Sequence, residues 1–183
     1  MTTDERIRYL INRLARLDST DSWTSDLNPT QRAAMEYLDA ANRFSRAPSH
    51  VAEFLGTTRG TMSQTLKALL RKGYVSEERS ESDKRSISYA LTDHGIAILR
   101  GKNILSEAFG NLSPTQSAAL ETLLSDGLRT ALGSNNHRPF GQCSTCAFHI
   151  NQRGKSFCKL LSMPLNTGDS EKICVEHQER LPV

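Results

Sequence analysis

Apolar residues return at steps of three and four from Ile7 through Leu10, Ile11, Leu14 and Leu17, the spacing that gathers them on one face of a helix. Thr2 and Glu5 stand at capping-box positions just before it. The stretch from Asp18 to Asn28 is polar and reads as a loop. Asn28, Pro29 and Gln31 then supply an N-cap, a first-turn proline and the capping-box partner for a second helix running to about Arg46, which Pro48 is expected to end. Ser49 can cap a short helix through Leu55, closed by Gly56. Thr57 or Thr58 caps the next, whose Met62, Leu66, Leu69 and Leu70 share a face before Gly73 stops it.

Beyond Gly73 the period changes to two. Tyr74 to Glu78 and Ile87 to Leu91 read as short strands, and the polar segment Arg79 to Ser86 between them predicts a hairpin with a long exposed tip. Thr92 caps a further helix carrying Ile96, Leu99, Leu105 and Phe109. Ser113, Pro114 and Gln116 repeat the cap, proline and box arrangement ahead of Leu120, Leu123, Leu124, Leu128 and Leu132. Gly133 to Asn136 is a polar linker to an irregular tail. The predicted fold is mainly α with a small β-hairpin wing: a winged helix-turn-helix followed by an irregular, cysteine-rich C-terminal extension.

Composition narrows this reading. The 37% apolar content suits a packed domain, and no apolar run approaches the roughly 20 residues of a membrane span. The first residues mix charge with apolar positions and lack the unbroken apolar stretch of a signal peptide, so a cytoplasmic protein is expected. A formal charge of +3 is compatible with nucleic acid but does not demand it. Cysteine placement divides the chain. The first 142 residues have none, whereas Cys143, Cys146, Cys158 and Cys174 crowd the remainder. In a reducing compartment that clustering reads as metal ligation before it reads as disulfides. Two regions are therefore expected, residues 1–135 for DNA binding and dimerisation and residues 136–183 for metal.

Helix, turn, helix, hairpin is the order of a winged helix-turn-helix, in which the second short helix enters the major groove and the hairpin reaches flanking backbone. With the apolar side of that helix committed to the core, Thr58, Arg59, Ser63, Gln64 and Lys67 are left for the outer side. Arg and Gln can make two-pronged contacts to base edges, and hydroxyls and Lys suit phosphate oxygens. In the hairpin tip Lys84 and Arg85 are the further DNA-contact candidates, with an Asp placed to aim the Arg85 guanidinium. A solvated helix face and a solvated charged turn are the plainer alternatives.

The succession of Val51 to Thr57, the run from Gly60 to Val75, the wing residues Asp83, Lys84, Arg85 and Ser86, and the junction Leu91, Thr92, Asp93, His94, Gly95 resembles the MarR family of bacterial transcriptional regulators. The resemblance spans residues 29 to 132. It implies a homodimer built by the first and last helices, a near-palindromic site on double-stranded DNA, and no enzymatic activity. The long apolar stripes of those helices agree, because a small winged domain cannot cover them alone. Many members of the family bind small lipophilic ligands, but the sequence identifies no effector. Trp23, Tyr37, Phe44 and Phe109 read first as core and only second as pocket walls. No phosphate-cradling glycine loop, nucleophile motif or other catalytic constellation is visible.

The tail departs from that family. Its spacing is Cys143-x2-Cys146, then 11 residues to Cys158 and 15 more to Cys174. A close pair grips one centre from a tight turn, and two distant cysteines close loops around it. All four cysteines would serve an iron–sulfur cluster, a [4Fe–4S] cubane being favoured, shielded by Phe148, Phe157, Leu160, Leu161, Ile173 and Val175. Zinc would instead use Cys143, Cys146, Cys174 and His177. Together with Pro164 and Leu165, the string resembles high-potential iron–sulfur proteins and similar small four-cysteine cluster domains, with loops of different length. The expected function is a sequence-specific DNA-binding regulator tuned by the cluster through redox or iron sensing. The alternatives are a regulator with a purely structural zinc, and an electron-transfer or metal-carrier protein whose helix-turn-helix only docks it to a partner.

Overall fold

Most of the helix starts marked by the sequence are the ones the chain uses. The computed structural model describes residues 1–21, 26–79, 87–100, 104–134, 138–152, 154–166 and 168–180. Helix α1 (Thr3–Asp21) begins with Thr2 N–H donating to Glu5 Oε2 at 2.8 Å and Glu5 N–H returning to Thr2 Oγ1 at 3.4 Å. Helix α2 (Pro29–Ala40) begins with Asn28 Oδ1 accepting the Gln31 N–H at 2.8 Å, while Gln31 Oε1 accepts the Asn28 N–H at 3.3 Å. Each box satisfies two donors that a helix start otherwise leaves unpaired.

The end of α2 differs from expectation. It stops at Ala40, and Arg43–Ser45 forms a separate 3₁₀ turn. The cause is local: Asn42 Oδ1 accepts the Phe44 N–H at 3.1 Å and the Ser45 hydroxyl at 2.8 Å, giving the backbone a better partner than the helix would. Pro48 then opens helix α3 (Pro48–Phe54) at its first position instead of ending α2, and Ser49 lies inside it. A proline has no N–H to leave unpaired there. Gly56, at φ +61°, turns the chain out of α3.

Helix α4 (Arg59–Arg71) is capped by Thr58, whose hydroxyl accepts the Thr61 N–H at 3.1 Å, and Gly73 at φ +74° ends it as foreseen. Strands β1 (Val75–Arg79) and β2 (Ile87–Leu91) pair antiparallel with Val75 opposite Leu91 and Arg79 opposite Ile87. The single helix expected after Thr92 is two, α5 (Asp93–Leu99) and α6 (Ile104–Gly110), followed by α7 (Pro114–Ser134). Thr92 caps α5 at the Gly95 N–H, 3.1 Å away, and donates its own hydroxyl to Gly73 O at 2.7 Å. Gly95 has no substitute here. A Cβ at that position would stand 2.1 Å from Tyr74 O, so the first turn of α5 lies directly on the chain entering the wing.

The main core joins Met35, Tyr37 and Leu38 of α2, Val51 of α3, Met62, Leu66 and Leu69 of α4, and Tyr89 of β2. Leu70, expected in that set, is partly exposed at the edge of α4. Apolar residues of the outer helices stay exposed: Ile7 is 53% exposed on α1, and Leu123 and Leu128 are 71% and 60% exposed on α7.

The tail is less irregular than its sequence implies. A 3₁₀ turn, Cys143–Thr145, precedes an antiparallel sheet of β3 (His149–Gln152), β4 (Lys155–Cys158) and β5 (Met163–Pro164) in that order. It is also not a free appendage, since Phe140 and Ile173 pack against the main core. Phe140 holds φ +46° and sets its ring edge-on to Phe54 at 5.3 Å and to Tyr37 at 6.2 Å.

Candidate nucleic-acid interface and cysteine centre

Burial sorts the residues of α4 by face. Met62, Leu66 and Leu69 are fully buried, while Arg59, Gln64 and Lys67 are exposed and Ser63 is half-buried. The helix thus presents a guanidinium, an amide and an ammonium on the side away from the core. Thr58 is exposed too, but its hydroxyl is engaged, capping the Thr61 N–H and sharing a 2.9 Å bond with the Thr61 hydroxyl. It starts the helix, and either hydroxyl can be the donor in the bond to Thr61. Lys84 and Arg85 of the wing tip lie outside the described residues, as does Trp23.

At the base of the wing, Glu77 Oε2 accepts the Tyr89 hydroxyl at 2.9 Å and Glu77 Oε1 accepts Arg79 Nε at 3.1 Å. The Tyr89 bond above all, then the Arg79 bond and the nearby Lys67 charge, hold the Glu77 carboxyl below its ordinary pKa. The carboxylate is therefore charged and occupied, and the two strands are tied side chain to side chain.

All four cysteines of the tail are buried and unpaired. Cys143, Cys158 and Cys174 share a small core with Leu165, against which Phe44, Phe148 and Leu161 pack. Phe44 belongs to the winged part, so one wall of this pocket comes from the 3₁₀ turn after α2. The Cys143 thiol is pushed up to about 12, first by burial and then by the negative charges of Cys174, Cys146, Cys158 and Asp169. Cys143, surrounded by the other three sulfurs, does not ionise there without a cation to offset the charge. That chemistry fits a metal centre, which holds its ligands as thiolates. Among the described residues no group of three or more His, Cys, Asp and Glu side chains is arranged to hold a metal ion as it stands. The two observations agree, because charge repulsion acts over longer distances than the roughly 2.3 Å of a zinc–sulfur bond.

The backbone around the pocket is closely held. Gln178 N–H points to Cys146 Sγ at 3.5 Å, and the Arg180 guanidinium donates to the carbonyls of Cys146, His149 and Ser144 at 3.1, 3.1 and 3.3 Å. His177, the zinc alternative's fourth ligand, keeps a buried Nδ1 with no hydrogen-bond partner among the described residues. Its Nε2 bonds the Thr145 hydroxyl at 2.9 Å and its ring lies on Gly141, where a Cβ would come within 2.5 Å of the ring. Burial keeps the His177 imidazole below its ordinary pKa, with Glu179 acting the other way. Asn42, Ser45, Phe140, Gly141 and Arg180 are the residues that sequence reasoning passed over. An aromatic set between Pro139 and Gly141 was the one readable sign, since turn residues on both sides often present an anchor.

Residues 25–86 match the model of the MarR family. That portion of the chain is similar to the MarR family, and its fold is a winged helix. Over 102 residues the chain is 26% identical to the transcriptional repressor MprA of Escherichia coli (strain K12), an alignment covering 53% of this chain and 58% of that protein. The chain thus spans little more than half the length of the curated relatives it matches. Among solved structures it is similar to the C80S mutant of MarR from E. coli, with 25% identity, a TM-score of 0.54, and 70% and 97% of the two chains covered. FabT of Streptococcus pneumoniae, solved in complex with DNA, superimposes with a TM-score of 0.55 at 23% identity, covering 70% and 94%. The portion that matches the family model contains α2, α3, α4 and β1; the four cysteines lie beyond it.

Proposed function

We propose that the protein is a cytoplasmic, DNA-binding transcriptional regulator of MarR type, not an enzyme, whose occupancy of its site is tuned by a [4Fe–4S] cluster held by Cys143, Cys146, Cys158 and Cys174. The observation that carries the DNA-binding half is the division of α4, with Met62, Leu66 and Leu69 fully buried and Arg59, Gln64 and Lys67 exposed. Among the described residues no helix is long and apolar enough to cross a membrane. The exposed apolar residues of α1 and α7 support a homodimer, and a two-fold dimer reads a near-palindrome with half-sites about one helical turn apart. Selection of binding sequences from a random duplex pool tests this. An asymmetric single half-site as the only product would overturn the dimer.

For the metal, the convergence of four buried thiols favours the all-cysteine centre. A bound cluster would supply a redox couple whose potential depends on charge, hydrogen bonds and exposure. The protein's own share is a dry pocket, the Gln178 N–H toward Cys146 Sγ, and the Arg180 clamp on the knuckle. Protein purified without oxygen should be brown, with iron and acid-labile sulfide. Colourless protein with stoichiometric zinc would replace the cluster by a structural staple.

A further inference from the structure

Both neighbours of Cys174 are hydrogen-bonded into the turn that follows α2. Ile173 N–H donates to Ala40 O at 2.9 Å, its carbonyl accepts the Asn42 N–H at 2.9 Å, and it forms a parallel bridge with Ala41. Val175 N–H donates to the Ser45 hydroxyl at 2.9 Å, and that hydroxyl donates to Asn42 Oδ1 at 2.8 Å. Ser45 has no exposed surface. Its carbonyl accepts the Tyr37 hydroxyl at 2.7 Å, which fastens the turn to the main core. The adjacent carbonyl, Arg46 O, accepts the Tyr89 N–H at 3.1 Å, and the Tyr89 hydroxyl reaches Glu77 on β1 at 2.9 Å. An unbroken series of bonds therefore runs from the residues flanking Cys174, through Ser45, to both strands of the wing.

Resting on the reading of the four thiols as a metal centre, we infer that Ser45 is the positioning residue through which that centre sets the wing. The Ser45 hydroxyl stands between a tail donor and a turn acceptor, so it can make both bonds only while Val175 is in place. A metal on Cys174 fixes Ile173 and Val175. Its removal takes away that restraint, and the Val175 N–H is then held to Ser45 by its hydrogen bond alone. The turn then no longer presents Arg46 O to Tyr89 at one fixed position, and the spacing of wing and recognition helix loosens. A coupling needs an element with two arrangements that both sites bias, and the Arg43–Ser45 turn is that element. Metal-loaded protein is the form that binds DNA more tightly.

The test uses the full chain, loaded and emptied with a chelator, and a duplex selected from a random pool. In the wild type, loading raises affinity at fixed salt at least tenfold and slows hydrogen exchange of the Tyr89 amide at least tenfold. Ser45→Ala retains metal and its visible absorption, but both ratios fall to within twofold, and Ser45→Thr, which keeps a hydroxyl, restores them. Full ratios in Ser45→Ala overturn the inference. Should Ser45→Ala not fold, the wild-type Tyr89 amide decides: equal exchange in loaded and emptied protein overturns the link, and slowed exchange on loading supports it. Failure of the underlying reading shows separately. A wild type that takes no metal removes the centre and the link with it. Equal DNA affinities alongside a Ser45-dependent Tyr89 difference remove sensing but keep the link.

Discussion

The winged part and the tail bury different kinds of surface. Around α2, α3 and α4 the interior is Met35, Tyr37, Leu38, Val51, Met62, Leu66 and Leu69, apolar side chains brought in by helical spacing. The buried apolar residues of the tail are its four cysteines, Leu165 and Val175, and Asp169, Ser170 and His177 are buried as well. The first region can be stabilised by burial alone, at about 25 cal/mol per Å² of apolar surface. The second cannot. It gains what it lacks from outside: Phe140 and Ile173 reach into the main core, Arg43 donates to Pro164 O at 2.9 Å, and Arg138 pairs with Glu53 of α3 at 3.3 Å. The contrast teaches that a region poor in apolar residues must borrow a core or bind a metal, and this tail is built for both.

The largest effect expected from that contrast is on the metal centre. Cys158→Ser should abolish iron and sulfide binding and the visible absorption, leaving the winged fold in place by circular dichroism. His177→Ala should leave the chromophore intact. The reverse pattern, a tolerated Cys158→Ser and a damaging His177→Ala, would show that zinc holds the tail. Phe140→Ala comes next. Loss of a half-buried ring packed edge-on against the Tyr37–Phe54 pair should cost about 3 kcal/mol in denaturant unfolding, and the two regions should unfold in one transition. If the winged transition stays put and only the tail melts earlier, the shared packing is not a shared core.

Smaller effects probe the DNA side. Gln64→Ala should relax preference at one or two base positions by about 1–3 kcal/mol, whereas Lys67→Ala should weaken all sequences alike and reduce the salt slope by about one. Affinities of both variants equal to wild type would take this face of α4 out of the interface. The smallest effect is a pH dependence at the junction. Burial, and then the Arg138 charge, hold the His50 imidazole below its ordinary 6.5, with Glu176, Glu53 and a backbone bond at Ser45 pulling upward. A depressed folded value means the neutral ring is the stable form. Its contribution is complete above the unfolded pKa and is lost as pH falls through the folded one. His50→Gln should therefore flatten the loss of stability on acidification below about 6.5, and an unchanged slope would exclude His50 as its source.

Much of the winged part was legible in the residues. The caps at Asn28, Thr58, Thr92 and Ser113 and the stops at Gly56 and Gly73 act within a few residues, so the sequence carries them directly. Pro48 reads both ways, because a proline both ends and begins helices, and the Asn42 side chain decides which happens here. The choice of Cys143, Cys146, Cys158 and Cys174 as a group was likewise open to reading, since spacing and clustering are one-dimensional properties.

What the chain could not reveal by itself were pairings between residues far apart in sequence. Val175 meets Ser45, Ile173 bridges Ala41, and Arg180 gathers three carbonyls of the knuckle. None of these contacts leaves a period or a local motif, because a backbone N–H is the same in every non-proline residue. Periodicity and capping chemistry set the helices, the wing and the cluster of thiols. The tertiary structure decided that the thiols abut the turn beneath the wing, because only packing the whole chain determines which buried donor finds which acceptor.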